Sequence, residues 1–290
     1  MTSTVPLNEL GEFLRKRRSQ LSPRTVGLPS TGRPRRAEGL RREEVAHLAA
    51  ISTDYYTRLE QGRMQASAPV LDTIARVLHL GDDERGYQFQ LAARTTVRTR
   101  RRGVQEVRSL LQRVLEGLTS IPALVQGRRG DILAWSALAA ALVTDFSRIP
   151  AKHRTYPRLL FTIPAMRELH ADWDTAAQVT VAQLRIEAAK YPEDPRLIAL
   201  VGELFMRDKQ FAQWWGDHRV AARPVGTKTL IHPVVGEVTL DCDTLTATTD
   251  PNQYMTVWTA ASGSPAHDQL RVLASWAADQ NLPTSSGWEA

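Results

Sequence analysis

The sequence predicts two folding units, an all-α bundle of five helices in its first third and an α+β domain in the remainder. One observation is the recurrence of apolar residues at helical spacing, between helix start and stop signals, as far as Ala93. Another is the order beyond Gln105: short strands, a run of helices, then strands again. The third is charge. Residues 1–102 hold 19 Lys and Arg against 11 Asp and Glu, a net of +8, while the remainder nets −2. The 290 residues give each unit enough chain to bury its own core. The divisions read as 1–94 for the bundle, 95–104 for a basic linker, 105–278 for the α+β domain and 279–290 for a flexible tail.

Leu7, Leu10, Leu14 and Leu21 share one face of the first helix, with Arg15 to Arg18 mostly on the other, and Ser22-Pro23 ends it. A basic loop rich in Pro, Gly and Ser follows from Gly27 to Gly39. The second helix spans Arg41 to Ala49 on Leu40, Val45, Leu48 and Ile51. Ser52 is the expected N-cap of the third, Thr53 to Gln61, because its hydroxyl can accept from free backbone N–H groups of the first turn. Tyr56 and Leu59 face inward, and Gly62 supplies a left-handed stop. Ser67 and Pro69 open a fourth helix carrying Val70, Leu71, Ile74, Ala75 and Leu78. The fifth, Asp82 to Ala93, begins with three acids that suit the positive end of a helix dipole.

Two short helices joined by a tight turn inside such a bundle have helix-turn-helix geometry, in which the second helix fits a DNA major groove. With Tyr56 and Leu59 turned inward, the third helix offers Thr53, Asp54, Tyr55, Thr57 and Arg58 to base edges, with Ser52 at the margin of that surface. Arg42, Gln61 and Arg63 are placed for phosphates. The competing reading is that Arg58 only pairs with Asp54 one turn earlier.

Leu40 to Ala46 and Ile51 to Arg63, with Ala46 at the helix crossing and the ending Arg58-Leu59-Glu60-x-Gly62, resemble the xenobiotic-response-element (XRE) family of helix-turn-helix regulators. The resemblance implies operator DNA as partner. Arg41-Arg42 departs from the Ser-Gln common there and adds cationic groups.

In the second unit, Val107 to Leu118 forms a helical stripe. Ile121–Val125 and Ile132–Trp135 flank a turn as a β-hairpin. Helices follow over Ala137–Val143, Leu159–Phe161, Pro164–Leu169, Thr175–Lys190, Pro195–Met206 and Phe211–His218. Thr229–Val234, Glu237–Asp241, Leu245–Thr248 and Tyr254–Ala260 read as strands, and Leu270–Ala278 as a closing helix. The segments Pro122 to Val125, Asp131 to Trp135, Tyr191 to Pro195, Trp215 to Val220 and His232 to Gly236 are similar to the MmyB-like ligand-binding domain of actinobacterial regulators. That resemblance implies a PAS-like sheet whose helices enclose an apolar cavity for a fatty-acid-like ligand. Trp135, Leu160, Phe161, Trp215, Tyr254 and Trp258 are the wall residues expected of such a pocket, with His218 or Arg219 meeting a polar headgroup. Ser136 and Cys242 depart from the family pattern.

No phosphate-binding loop, dinucleotide fingerprint, nucleophile elbow or metal-binding helix motif occurs, so an enzyme is not expected, nor a metal or other cofactor beyond a bound apolar ligand. The lone Cys242 excludes a disulfide scaffold. Without a secretory leader or a bilayer-length apolar run, membrane insertion is not expected and the cytoplasm is. These readings converge on a homodimeric regulator that binds an inverted-repeat operator and senses a small apolar ligand. The alternative is a constitutive DNA-binding protein whose second domain serves only dimerisation or protein contact.

Overall fold

The computed structural model describes residues 5–28, 39–93, 105–217, 226–246, 252–280, 282 and 284. The Arg33–Arg36 cluster, the 95–104 linker, His218, Arg219 and most of the tail lie outside these. The chain divides into two compact units, one built on residues 1–100 with 188–193 and 215–221, the other on the rest.

Among the described residues the first unit holds five α-helices: α1 (Val5–Gln20), α2 (Arg42–Leu48), α3 (Thr53–Glu60), α4 (Ala68–Val77) and α5 (Asp82–Ala93). Leu10, Phe13 and Leu14 of α1 are buried with Val45, Tyr56, Leu59, Leu71, Ile74, Tyr87 and Leu91. Phe13 meets Tyr87 edge-on at 5.2 Å, a contact that joins α1 to α5. Gly11 lets α1 cross α3 closely, because a Cβ there would stand 2.2 Å from the Glu60 carbonyl oxygen. The chain leaves α2 through Ala50, whose φ is +54°. Ser52 then caps α3, its Oγ accepting from Tyr55 N at 3.1 Å. Ser67 has the N-cap backbone of α4, but its side chain makes no capping bond, so Pro69 is the only one of the two expected start signals at work.

The second unit is mixed. It runs α6 (Ser109–Gly117), β1 (Ala123–Gln126), β2 (Ile132–Trp135), α7 (Ala137–Leu142), α8 (Tyr156–Thr162) and α9 (Pro164–Leu169). Then come α10 (Trp173–Lys190), α11 (Pro195–Arg207), α12 (Lys209–Gly216), β3 (Gly226–His232), β4 (Gly236–Thr246), β5 (Tyr254–Thr259) and α13 (Pro265–Asp279). The strands form one five-stranded sheet in the order β2-β1-β5-β4-β3, antiparallel throughout. Where the sequence suggested two strands, Glu237–Asp241 and Leu245–Thr248, there is one continuous β4. Its alternation runs through the break, with Val238, Leu240 and Cys242 buried and Thr239, Asp241 and Asp243 exposed.

Period-2 alternation gives the sheet two faces. On one face, Ala123, Val125, Ala134 and Met255 pack against Leu115 of α6. On the other, Leu124, Trp135, Leu230, Val238, Leu240 and Trp258 pack with residues of α7, α8, α9 and α13. The cavity described below opens on this second face.

Candidate functional site

The surface of α3 is built by what it buries. Tyr56 and Leu59 are fully enclosed, whereas Ser52, Thr53, Asp54, Arg58, Gln61 and Arg63 are exposed and Tyr55 and Thr57 half-buried. Arg58 Nε lies 3.0 Å from Asp54 Oδ2, both side chains largely exposed. Such an exposed helical pair contributes only about 0.3–0.5 kcal/mol, so Arg58 is readily released to another acceptor.

Arg42, read in the sequence as a phosphate contact, is exposed and also makes an ion pair within the bundle. Its Nε pairs with Glu60, whose other carboxylate oxygen accepts from Arg18 Nε at 2.7 Å. Only 1% of the Glu60 side chain is exposed, and a carboxylate so far from water requires charged donors. Arg42 thus holds α2 against the end of α3 while 42% of its side chain stays exposed. Burial raises the Tyr56 phenol well above its ordinary range, and neighbouring Glu60 adds to the effect.

In the second unit, a cavity of about 680 Å³ lies between the inner sheet face and α10. Its floor follows the strand register. Gln126 stands opposite Tyr254, Leu124 opposite Thr256, Thr244 beside Thr256, and Cys242 between Trp258 and Gly226. Lys228, one alternation before the buried Leu230, extends the floor along β3. The α10 side contributes Thr175, Ala176, Val179, Thr180 and Gln183, and Tyr156 and His170 close one end.

That end is a hydrogen-bonded relay. His170 Nδ1 is 2.7 Å from the Met166 carbonyl and its Nε2 is 3.0 Å from Tyr156 Oη. A carbonyl can only accept, so Nδ1 carries the proton and Nε2 accepts from the phenol. Burial lowers the His170 pKa, and Lys228 lowers it further, against the pull of the Met166 carbonyl. Burial raises the Tyr156 phenol. It also raises the Cys242 thiol, although Lys228, hydrogen-bonded to it, acts in the opposite direction.

Of the expected wall residues, Tyr254 and Trp258 line this cavity, whereas Trp135, Leu160, Phe161 and Trp215 do not. Trp135 packs on Phe146 at 5.5 Å under the Arg154 guanidinium, and borders a separate cavity of about 560 Å³ along α6, α7 and α13. The Leu160 carbonyl accepts from Trp173 Nε1 at 3.2 Å, and Phe161 lies edge-on to Trp173 and Phe211. These side chains tie α8, α10 and α12 together as core. Trp215 is half-buried on α12. Sequence reasoning missed Lys228, Tyr156, His170 and Gln183. The available signal was the phase of β3, in which Lys228, Leu230 and His232 share a face.

The family model described as the MmyB-like transcription regulator ligand binding domain matches residues 107–273. The chain belongs to the MmyB-like family. A helix-turn-helix domain model matches residues 9–87 of the same chain. No curated protein matches it. This MmyB-like protein is therefore a transcription regulator with a DNA-binding helix-turn-helix domain and a ligand-binding domain. Among its described residues, no helix is long and apolar enough to cross a membrane, and no group of three or more His, Cys, Asp or Glu is placed to hold a metal ion.

Proposed function

We propose that the protein is a non-enzymatic, cytoplasmic homodimer that presents one α3 to each half of an inverted-repeat operator and changes operator affinity when a small molecule fills the cavity under the sheet. The units act as proposed in the sequence: 1–94 reads DNA, 95–104 links, 105–278 senses and 279–290 trails. The cavity carries the reading. Leu124, Ala176, Val179 and Trp258 give it an apolar strip for a fatty-acid-like chain, while Lys228 supplies a cation for an acidic head. Regulation then follows from linkage, since a ligand that prefers one dimer geometry shifts the population toward or away from the DNA-competent form.

Operator titration with purified protein, with and without a lipid extract, is the test. The extract is expected to change the affinity of the native protein. Ala176→Trp, which fills the cavity from α10, is expected to keep operator binding and lose the response. Exposed Ile198, Phe205 and Met206 on α11 favour a second reading, a domain used for protein contact alone. Operator affinity unmoved by the extract in the native protein would favour that reading.

A further inference from the structure

The cavity has a polarity pattern that a plain acyl chain does not match. Lys228 projects from β3 onto the inner sheet face, half-buried, with Cys242 as its hydrogen-bonding neighbour. Among the described residues no carboxylate forms an ion pair with it. A cation withdrawn from water in this way is stabilised by an anion. From the α10 side, Gln183 lines the same cavity, and its Nε2 is buried with no hydrogen-bond partner. A buried amide donor without an acceptor is destabilising, and a ligand oxygen would relieve it. The two donors stand on different elements, one on β3 and one on α10.

The remaining polar groups are arranged differently. Thr256 Oγ1 donates to Gln126 Oε1 at 2.9 Å and Thr180 Oγ1 to the Ala176 carbonyl at 2.8 Å. With the Tyr156 proton directed to His170, the phenol oxygen keeps its lone pairs as acceptors. Two carboxylates also line the cavity, but Asp172 accepts from Thr175 N at 3.0 Å and Glu237 is exposed to solvent, so the donors left without an acceptor are the Lys228 ammonium and the Gln183 amide.

We infer that the ligand is an oxygenated carboxylic acid, a hydroxy or oxo acid whose carboxylate pairs with Lys228 and whose second oxygen accepts from Gln183. The inference rests on the sensor reading above and narrows it. An unsubstituted fatty acid has oxygen only at its head and leaves the Gln183 amide stranded against hydrocarbon.

The test is calorimetric titration of the purified full-length protein with dodecanoate and with hydroxydodecanoates bearing the hydroxyl at successive carbons. At least one positional isomer is expected to bind about tenfold more tightly than dodecanoate, the effect of one satisfied buried hydrogen bond. Gln183→Leu is expected to erase that advantage while dodecanoate binds at least as tightly as before, since no amide is then left against hydrocarbon. Gln183→Met serves as a second variant if the first melts early. Lys228→Met is expected to weaken both probes about tenfold or more, and Lys228→Arg to restore them. The inference is overturned if no isomer binds better than dodecanoate, if Gln183→Leu weakens both probes equally, or if neither probe binds. Dodecanoate that binds as well as every isomer and still shifts operator affinity leaves the sensor reading standing while removing the oxygenated ligand. A hydroxy acid held through Gln183 that leaves operator affinity unchanged does the reverse.

Discussion

Ala50 holds a φ of +54° in the turn between α2 and α3, a conformation that costs an L-residue about 1–2 kcal/mol and glycine almost nothing. Glycine gives back about 0.5–1 kcal/mol through the greater freedom of its unfolded chain. Ala50→Gly is therefore expected to stabilise the first unit by about 0.5–1 kcal/mol, seen as a rise in its melting midpoint by circular dichroism. Arg58 separates stability from function in another way. Because its pair with Asp54 is exposed, Arg58→Ala is expected to change stability by less than about 0.5 kcal/mol. If the guanidinium reads a base, the same change weakens operator binding by about 1–3 kcal/mol in a titration at fixed salt. An operator affinity that stays put would return Arg58 to the purely helical role that its spacing from Asp54 also allows.

Between elements, the crossing of α1 over α3 is set by Gly11. Alanine is the better helix former by about 1 kcal/mol, but its methyl would overlap the backbone carbonyl of Glu60 at 2.2 Å, and backbone has no alternative rotamer. Overpacking at that point costs about 1–3 kcal/mol, and separating the helices also strains the Arg18–Glu60 pair. Gly11→Ala is accordingly expected to destabilise the bundle by about 1–2 kcal/mol net in denaturant unfolding, the opposite sign to its helix propensity. The helices of the bundle were legible in the sequence because start or stop signals bracket the apolar stripes, most clearly where the Ser52 cap precedes Tyr56 and Leu59. β4 was not, because Asp241 and Asp243 are poor strand formers in isolation. On the exposed face of an antiparallel sheet they lose little hydration, and Cys242 between them keeps the buried phase. The cavity was harder still. Aromatic residues suggest a wall, but Trp135 and Phe161 are large enough to be consumed by the core, whereas Lys228 and Gln183 matter through what they lack, a property of three-dimensional neighbours rather than of spacing. Glu60 escaped for the same reason: its partners Arg18 and Arg42 come from different helices.

Across the whole molecule, titratable groups are divided as unevenly as charge is. The second unit holds His170 half-buried and His232 buried, both with pKa values lowered by desolvation, and His232 has a ring nitrogen 2.9 Å from the Ala141 carbonyl. The first unit carries His47 and His79 at its surface. Unfolded, these two histidines would take up protons near the ordinary value of about 6.5; folded, they hold out to lower pH. The unfolded state thus binds more protons as pH falls below about 6.5, and the stability these groups leave intact above that value is progressively lost beneath it. The optical signal is conveniently segregated, since all seven tryptophans lie from Trp135 onward. Thermal unfolding followed by tryptophan fluorescence is expected to shift to lower temperature between pH 7.5 and pH 5.5, a window above most carboxylate titrations as well as across the histidine one. His170→Gln, which cannot take up the proton, is expected to narrow the shift. A fluorescence midpoint indifferent to pH across that window would mean that His170 and His232 titrate alike folded and unfolded, and one that rises toward pH 5.5 would mean that they already carry a second proton when folded, with His170 Nε2 donating to Tyr156 and the phenol donating into the cavity.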